Sequence, residues 1–174
     1  MKSKKELISL LREDVYAFNR YRRENIYEDI DLSNANLTDA NLTDANLFRA
    51  NFDGANLTGA KLNSADLTGA NLHGANLYAA NLTRADLRSA NLAGAYLTKA
   101  NLPGANLRYA ILTHADLTYA CLFKADLTAA DLTRANLRYA ILTHADLTFA
   151  DLTGADLSCT DLSWARNYYR RGEQ

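Results

Sequence analysis

Three histidines and two cysteines are the side chains in this sequence that could bind a metal ion or act as a nucleophile. His73, His114 and His144 are scattered along the chain, and Cys121 and Cys159 are far apart. A structural zinc site needs about four such ligands, usually supplied by short, recognisable spacings. The sequence has no spacing of that kind, no Gly-rich phosphate loop and no nucleophile–base pair. It therefore predicts no metal, no cofactor and no enzymatic reaction.

The element that must position these side chains is a five-residue repeat. From Leu32 to Leu162 every fifth residue is Leu, except Phe52, and Ala stands two positions before nearly every one of them. This period fits neither an α-helix nor a plain strand. Ala and Leu are at strand spacing, so both can point inward, and the extra residue requires a corner, where Gly54 and later glycines suit a tight turn. One pentad cannot bury its own apolar residues, so the pentads must wind and stack.

The run ANLTDANLTDANL, which starts at Ala35, and its continuation to Leu162 resemble the pentapeptide-repeat proteins. The resemblance implies an all-β solenoid, a right-handed quadrilateral β-helix in which four pentads form one square coil of about 20 residues. About seven such coils would stack at ~4.8 Å. The predicted domains are an N-terminal amphipathic capping helix at residues 1–29, the β-helix at 30–164 and a C-terminal plug or tail at 165–174.

The N-terminal segment has the pattern of an amphipathic α-helix. Ser3 and Glu6 form a capping box, apolar residues recur at helical spacing from Leu7 to Phe18, and Asn25 is the predicted stop. We expect this α-helical cap to cover the first coil, whose strand edges would otherwise promote association. Membrane-surface binding is the alternative for a basic amphipathic helix, but the acidic residues within it argue against that role.

A long internal duplication separates the histidines rather than pairing them. The segment at residues 105–118 recurs unchanged at 135–148, an offset of 30 residues. Thirty residues are one and a half coils of the implied fold, so the copies lie on opposite faces. His114 and His144 therefore cannot share a metal site, His73 is alone, and all three are expected to be solvated. Cys121 and Cys159 lie on different faces and are expected to be free thiols.

Projection of the outward positions with a 20-residue period brings one aromatic and apolar group together. Tyr119 and Tyr139 are one coil apart and should stack at ~4.8 Å. Cys121 and Ile141 follow them around the same corner, with Phe123 beside them. One hypothesis is a protein-binding patch with aromatic anchors. The alternative is that these stacked side chains only stabilise the ladder.

The same projection places an acidic column on another face. Its members are Asp66, Asp86, Asn106, Asp126 and Asp146. Stacked like charges repel, although solvent screens them and Arg88 and Arg108 stand beside the column. Such a column could imitate the phosphate track of DNA, or it could simply hold solvated Asp where the repeat also accepts Asn.

Composition and the chain ends restrict the remaining possibilities. With 19 basic and 20 acidic residues the net charge is −1, which does not indicate binding to nucleic acid or to an anionic membrane. No apolar run is long enough to cross a bilayer, and the basic start lacks the apolar core of a signal peptide, so we expect a cytoplasmic protein. The tail aromatics, from Trp164 to Tyr169, either plug the last coil or form a dimer contact, so a monomer and a C-terminal-end dimer both remain open.

Together these features predict a non-enzymatic protein-interaction or scaffold module, a rigid rod that displays side chains to a protein partner. The aromatic patch would carry that role. The alternative comes from the resemblance, because quinolone-protecting members of the family bind DNA gyrase. It is a DNA-mimic inhibitor or protector of a DNA-processing enzyme such as gyrase, and the acidic column would carry it.

Overall fold

The computed structural model describes residues 2–167 and begins with two short helices. Helix α1 spans Lys4–Glu13 and helix α2 spans Val15–Glu24. The capping box is present as predicted, since the Ser3 side chain accepts from the Glu6 N–H while the Glu6 side chain accepts from the Ser3 N–H. The prediction of one continuous helix was wrong, because the chain breaks between α1 and α2.

Asp14 is the residue at which the helix breaks. Its backbone is extended, with φ −153° and ψ 93°, and its N–H donates to the Leu10 carbonyl at 2.9 Å. Its carboxylate accepts from the Ala17 N–H at 2.9 Å, so one residue ends α1 and caps the start of α2. The break lets each short helix turn its own apolar residues toward the β-helix, and Leu7, Leu11 and Phe18 are all buried.

The rest of the described chain is a β-helix with a repeat of 20 residues. Parallel bridges pair residues 20 apart, from Asp31 with Asn51 to Asp146 with Arg166. Four columns of bridges define four faces: face 1 begins at Asp31, face 2 at Asn36, face 3 at Asn41 and face 4 at Asn46. Leu and Ala fill the interior, as the register predicts. Beyond Leu147 the inward residues are only partly buried, because they belong to the final coil.

Every backbone N–H of a typical pentad has a partner, as residues 55–59 illustrate. The Ala55 N–H closes the preceding turn by donating to the Phe52 carbonyl at 2.9 Å. The Asn56 N–H donates to the Ala35 carbonyl of the preceding coil, also at 2.9 Å. The Leu57 and Gly59 N–H groups donate to the following coil at 2.7 and 2.9 Å. The remaining donor, the Thr58 N–H, bonds to the Asn56 side-chain oxygen at 3.1 Å. The preference for Asn or Asp before each centre is therefore a hydrogen-bonding requirement of the fold.

The last residue of each pentad has a positive φ whether or not it is glycine. The value is +65° at Gly59, +56° at Arg84 and +59° at Tyr119. A side chain in this region costs roughly 1–2 kcal/mol. The cost is offset because this residue's N–H reaches the next coil, as Tyr119 does at 3.0 Å to the Arg138 carbonyl.

The helical cap covers the first coil with polar side chains as well as apolar ones. Arg12 donates to the Asn36 carbonyl at 3.1 Å, and the buried Arg22 donates to the Phe48 carbonyl at 2.8 Å. In later coils the equivalent carbonyls accept from a preceding coil. Asn19 completes the edge by donating to the carbonyl oxygen of Asp44 at 2.8 Å, while its side-chain oxygen accepts from the Asn46 N–H at 2.7 Å. The cap thus supplies hydrogen bonds that a missing coil would otherwise make.

Candidate functional site

The predicted tyrosine stack is present at the corner between faces 2 and 3. The rings of Tyr119 and Tyr139 are 4.8 Å apart and nearly parallel, with an angle of 7° between their planes. Both tyrosines are exposed, and the Arg138 guanidinium lies 5.8 Å from the Tyr139 ring. Stacking confirms the coil register, but it does not by itself distinguish a binding site from a stabilising ladder.

Cys121 and Ile141 continue from the tyrosines onto face 3. They form one of the parallel bridges of this face, with Cys121 half-buried and Ile141 exposed. Phe123 is also exposed, with the Lys124 ammonium 5.1 Å from its ring. The five residues of the predicted patch therefore occupy neighbouring positions on one surface.

The apolar surface extends further across face 3 than the sequence analysis predicted. The His144 ring makes an edge contact with Phe123 at 5.9 Å and a stacked contact with Trp164 at 6.4 Å. His144 is exposed, as expected, but its contacts with two aromatic rings were not predicted. Its 20-residue spacing from Trp164 is visible in the sequence, but Trp164 is grouped with the C-terminal aromatic residues in the sequence analysis. We call the combined surface the aromatic band, and its members are Tyr119, Cys121, Phe123, Tyr139, Ile141, His144 and Trp164.

Two members of the aromatic band break the hydrogen-bonding rule of the pentad. Cys121 and Ile141 occupy the position where Asn or Asp would accept the N–H two residues later. Neither side chain has an oxygen, so the N–H groups of Phe123 and Thr143 lose the bond that Asn56 provides to Thr58. The fold therefore does not favour apolar residues at these two positions.

The acidic column lies on face 4 in the predicted order, but its charges are largely engaged. Arg88 pairs with Asp86 at 2.6 Å, and Arg108 pairs with Asp126 at 3.4 Å. Burial raises the pKa of Asp86, but hydrogen bonds from the Arg88 side chain and backbone outweigh it and lower the pKa overall. Hydrogen bonds from Thr148 lower the pKa of Asp146. These carboxylates act as structural acceptors within their own coils and, for Asp126, toward the preceding coil.

The histidine on face 1 also has a partner. The His73 Nδ1 lies 2.8 Å from a carboxylate oxygen of Asp53, one coil earlier, a contact that the sequence did not predict, and the His73 side chain is exposed as expected. Within residues 2–167 no group of three His, Cys, Asp or Glu side chains is arranged to hold a metal ion. Both cysteines are free thiols.

Replacing His73, His114 and His144 together with Gln should leave the metal content of the purified protein unchanged. The described geometry brings at most one acidic partner to any of these imidazoles. Metal analysis of the purified wild type and variant checks this expectation. Loss of a stoichiometric metal from the variant would contradict it.

The C-terminal end remains only partly described. The backbones of Arg166 and Asp146 form a parallel β-bridge, so the ladder of bridges continues past Trp164 into the segment that was predicted as a tail. The rest of that segment, residues 168–174, lies outside the described residues, so the choice between a plug and a dimer contact stays a prediction.

The fold and surface together define a class of protein, a right-handed quadrilateral β-helix that carries a helical cap and displays side chains on flat faces. The sequence matches the family model described as pentapeptide repeats, in eight copies, over residues 28–63, 50–88, 90–128 and 130–166. The chain belongs to the pentapeptide-repeat family.

Two solved cyanobacterial structures are similar to this chain. HetL from Nostoc sp. strain PCC 7120, described as involved in heterocyst differentiation regulation, is 39% identical over 78% of this chain and 71% of its own, with a TM-score of 0.51. Rfr23 from Cyanothece 51142 is 35% identical over 62% of this chain and 85% of its own, with a TM-score of 0.59. No curated protein sequence matches significantly. In the described part of the chain, neither helix has the length and apolar character needed to cross a membrane.

Proposed function

We propose that this protein is a protein-interaction module that acts by binding and not by catalysis, and that the aromatic band on face 3 is its contact surface. The observation that carries this proposal is the pair of apolar residues at Cys121 and Ile141. Each replaces the Asn or Asp that the fold prefers and leaves an N–H without its usual side-chain acceptor. Ile111 makes the same replacement on face 1, but Cys121 and Ile141 are stacked on each other beside exposed aromatic rings, and a cluster of this kind that costs stability favours a role in binding.

The composition of the aromatic band supports a protein as the partner. Aromatic side chains such as Phe123 and Trp164 dominate the binding energy of protein interfaces because they bury a large area with few rotatable bonds. Trp164 is 79% exposed, and Tyr119 is 53% exposed. A rigid solenoid face holds such groups at fixed spacing, so little entropy is lost when they are buried.

The relatives are compatible with a binding role. HetL is described as taking part in the regulation of heterocyst differentiation. A protein can take part in regulation by binding other proteins without catalysing a reaction. A binding role of this general kind is what the similarity to HetL supports for the present chain. The expected setting is the cytoplasm, where two free thiols such as Cys121 and Cys159 stay reduced.

DNA mimicry through the acidic column is the second candidate, and it has weaker support. A phosphate mimic needs unneutralised charge along its track, whereas Asp86 and Asp126 are paired with arginines. A supercoiling assay with DNA gyrase tests this candidate directly, and inhibition or protection that is lost on replacement of Asp126 and Asp146 with Asn would favour it.

Substitution of Asn at Cys121 and Ile141 tests the main proposal and separates it from the ladder alternative. Each Asn restores the missing acceptor, so we expect unfolding free energy to rise by about 0.5–1.5 kcal/mol per site. The same variant should lose a partner that the wild type retains in a pull-down from native lysate. Denaturant unfolding and the pull-down are measured on the same preparations.

The matched control is Ile111→Asn on face 1, where the same apolar residue also replaces the usual Asn or Asp. It should gain similar stability and keep the partner. A face 3 variant that is less stable than the wild type and still binds would favour the ladder alternative. A second variant, Tyr119→Ser/Ile141→Asp, should also lose the partner while remaining folded.

A further inference from the structure

The charges of the β-helix are segregated between its faces. From Lys61 to His144, face 3 has no Asp or Glu at its outward positions and carries Lys61, Arg84 and Lys124. Lys99 stands at the corner shared with face 2, directly below Tyr119 in the same column. Faces 2 and 4 carry carboxylates on either side. A chain with a net charge of −1 therefore displays a narrow basic stretch on face 3, between Asp44 and Asp161. We call it the basic strip, and it is made of Lys61, Arg84, Lys99 and Lys124.

The basic strip is available for a partner. All four side chains are exposed. The ion pairs found among residues 2–167 use other basic groups, namely Lys4, His73, Arg88, Arg108 and Arg138. Lys124 and Lys99 instead lie beside aromatic rings, at 5.1 Å from Phe123 and 5.7 Å from Tyr78. The basic strip and the aromatic band therefore share one surface.

The flanking carboxylates restrict what this surface can accept. Asp116 lines face 2 and Asp146 lines face 4, and neither takes part in the ion pairs of residues 2–167. A face is about three extended residues across, roughly 10 Å, whereas the major groove of duplex DNA alone is about 12 Å wide. A nucleic acid on face 3 would bring its phosphates close to these carboxylates. An extended peptide occupies only about 5 Å of width and fits between them.

We propose that face 3 binds an extended acidic segment of a partner protein, with carboxylates on the basic strip and apolar side chains on the aromatic band. This inference rests on the proposed function and names the chemistry of the partner. Arg84 and Lys124 are two coils apart, about 10 Å, which is the span of about three residues of extended peptide. Partner carboxylates at that spacing would meet both cations, and attraction of this kind sets specificity and association rate.

The experiment is a selection of random 16-residue displayed peptides on the full-length protein, with fluorescence anisotropy of the enriched peptides. The test variant is Arg84→Glu/Lys124→Glu. The control variant is Arg49→Glu/Arg134→Glu, which has the same change in charge. All four residues are exposed, have a φ near +56° and occupy the last position of their pentads, but Arg49 and Arg134 lie on faces 4 and 1.

Peptides enriched by the wild type should be acidic and rich in apolar residues. Their Kd should rise by about tenfold or more with the test variant and by less than about twofold with the control variant. For the wild type, the Kd should also rise as the salt concentration increases. The proposal would be overturned by enrichment of neutral or basic peptides, by equal losses in both variants, by no enrichment, or by tighter binding of a 16-nucleotide oligo-dT. In any of those cases, a lysate partner lost only by the Cys121→Asn/Ile141→Asn variant would still support the proposed function, so the two failures are distinguishable.

Discussion

Replacement of Leu97 by Asp is expected to unfold the β-helix. Leu97 is 1% exposed and is stacked between Leu77 and Leu117 in the interior. Its loss removes roughly 1.5–3 kcal/mol of apolar burial, and the carboxylate adds a desolvation cost of several kcal/mol because the described residues that surround it in the interior are Leu and Ala. The sum approaches the whole stability of a typical domain, about 5–15 kcal/mol. Solenoid coils depend on their neighbours, so the damage should spread along the rod.

Thermal denaturation followed by circular dichroism checks this expectation. The variant should be unfolded at 25 °C or have a Tm lower by at least about 15 °C. The matched control is Tyr96→Asp, one residue earlier, where Asp is the residue that other pentads use and can accept the Thr98 N–H. That control should stay within about 1 kcal/mol of the wild type. A near-native melting curve for Leu97→Asp would contradict the inward assignment of this register.

Deletion of residues 1–25 is expected to cause association through the first coil. The cap covers an interior cross-section that includes Leu32 and Leu37, and its arginines satisfy carbonyls such as Phe48 O. Without the cap, apolar side chains and unpaired strand edges are exposed together, which is the condition that promotes edge-to-edge pairing. Among the variants, the cap deletion should have an effect second only to that of Leu97→Asp. It should change the assembly state of the protein and leave the fold of the distant coils intact.

Light scattering after size exclusion measures the mass of the deletion variant against the wild type, and we expect at least a doubling. A full-length variant, Leu11→Ser/Phe18→Ser, should associate in the same way because it undocks the cap without shortening the chain. Tyr16→Ser is the control, since Tyr16 is 72% exposed on the outer side of α2 and should leave the mass unchanged. Wild-type mass for both the deletion and the double variant would show that the helices do not protect the first coil.

The core and the course of the chain could be predicted because the pentad leaves few choices. Leu and Ala recur at positions that can only point inward, and the structure buries them from Ile30 to Leu147. The tyrosine stack was predicted from that register together with the 20-residue coil that the family resemblance implied. By contrast, the sequence around Asp14 is compatible with one continuous helix, and the break depends on how α1 and α2 dock on the first coil.

Local preference also failed to predict the corners. Glycine was the expected residue for positive φ, yet Arg84, Tyr119 and Trp164 adopt it as well. The intrinsic preference of these residues for negative φ is outweighed by hydrogen bonds between coils. Those bonds join residues that are distant in the sequence, so local preference does not predict them. The His144–Trp164 contact was missed because Trp164 was grouped with the C-terminal aromatic residues, although the bridge ladder continues past it.

The sequence by itself determined which side chains point inward and which point outward, because a five-residue period with Ala and Leu at strand spacing permits one register. Only the tertiary structure decided which outward side chains meet. Residues such as Phe123, His144 and Trp164 become neighbours because four corners close each coil at 20 residues. That closure depends on packing in the interior and on hydrogen bonds between coils, and it converts a one-dimensional repeat into faces with distinct charge and apolar character.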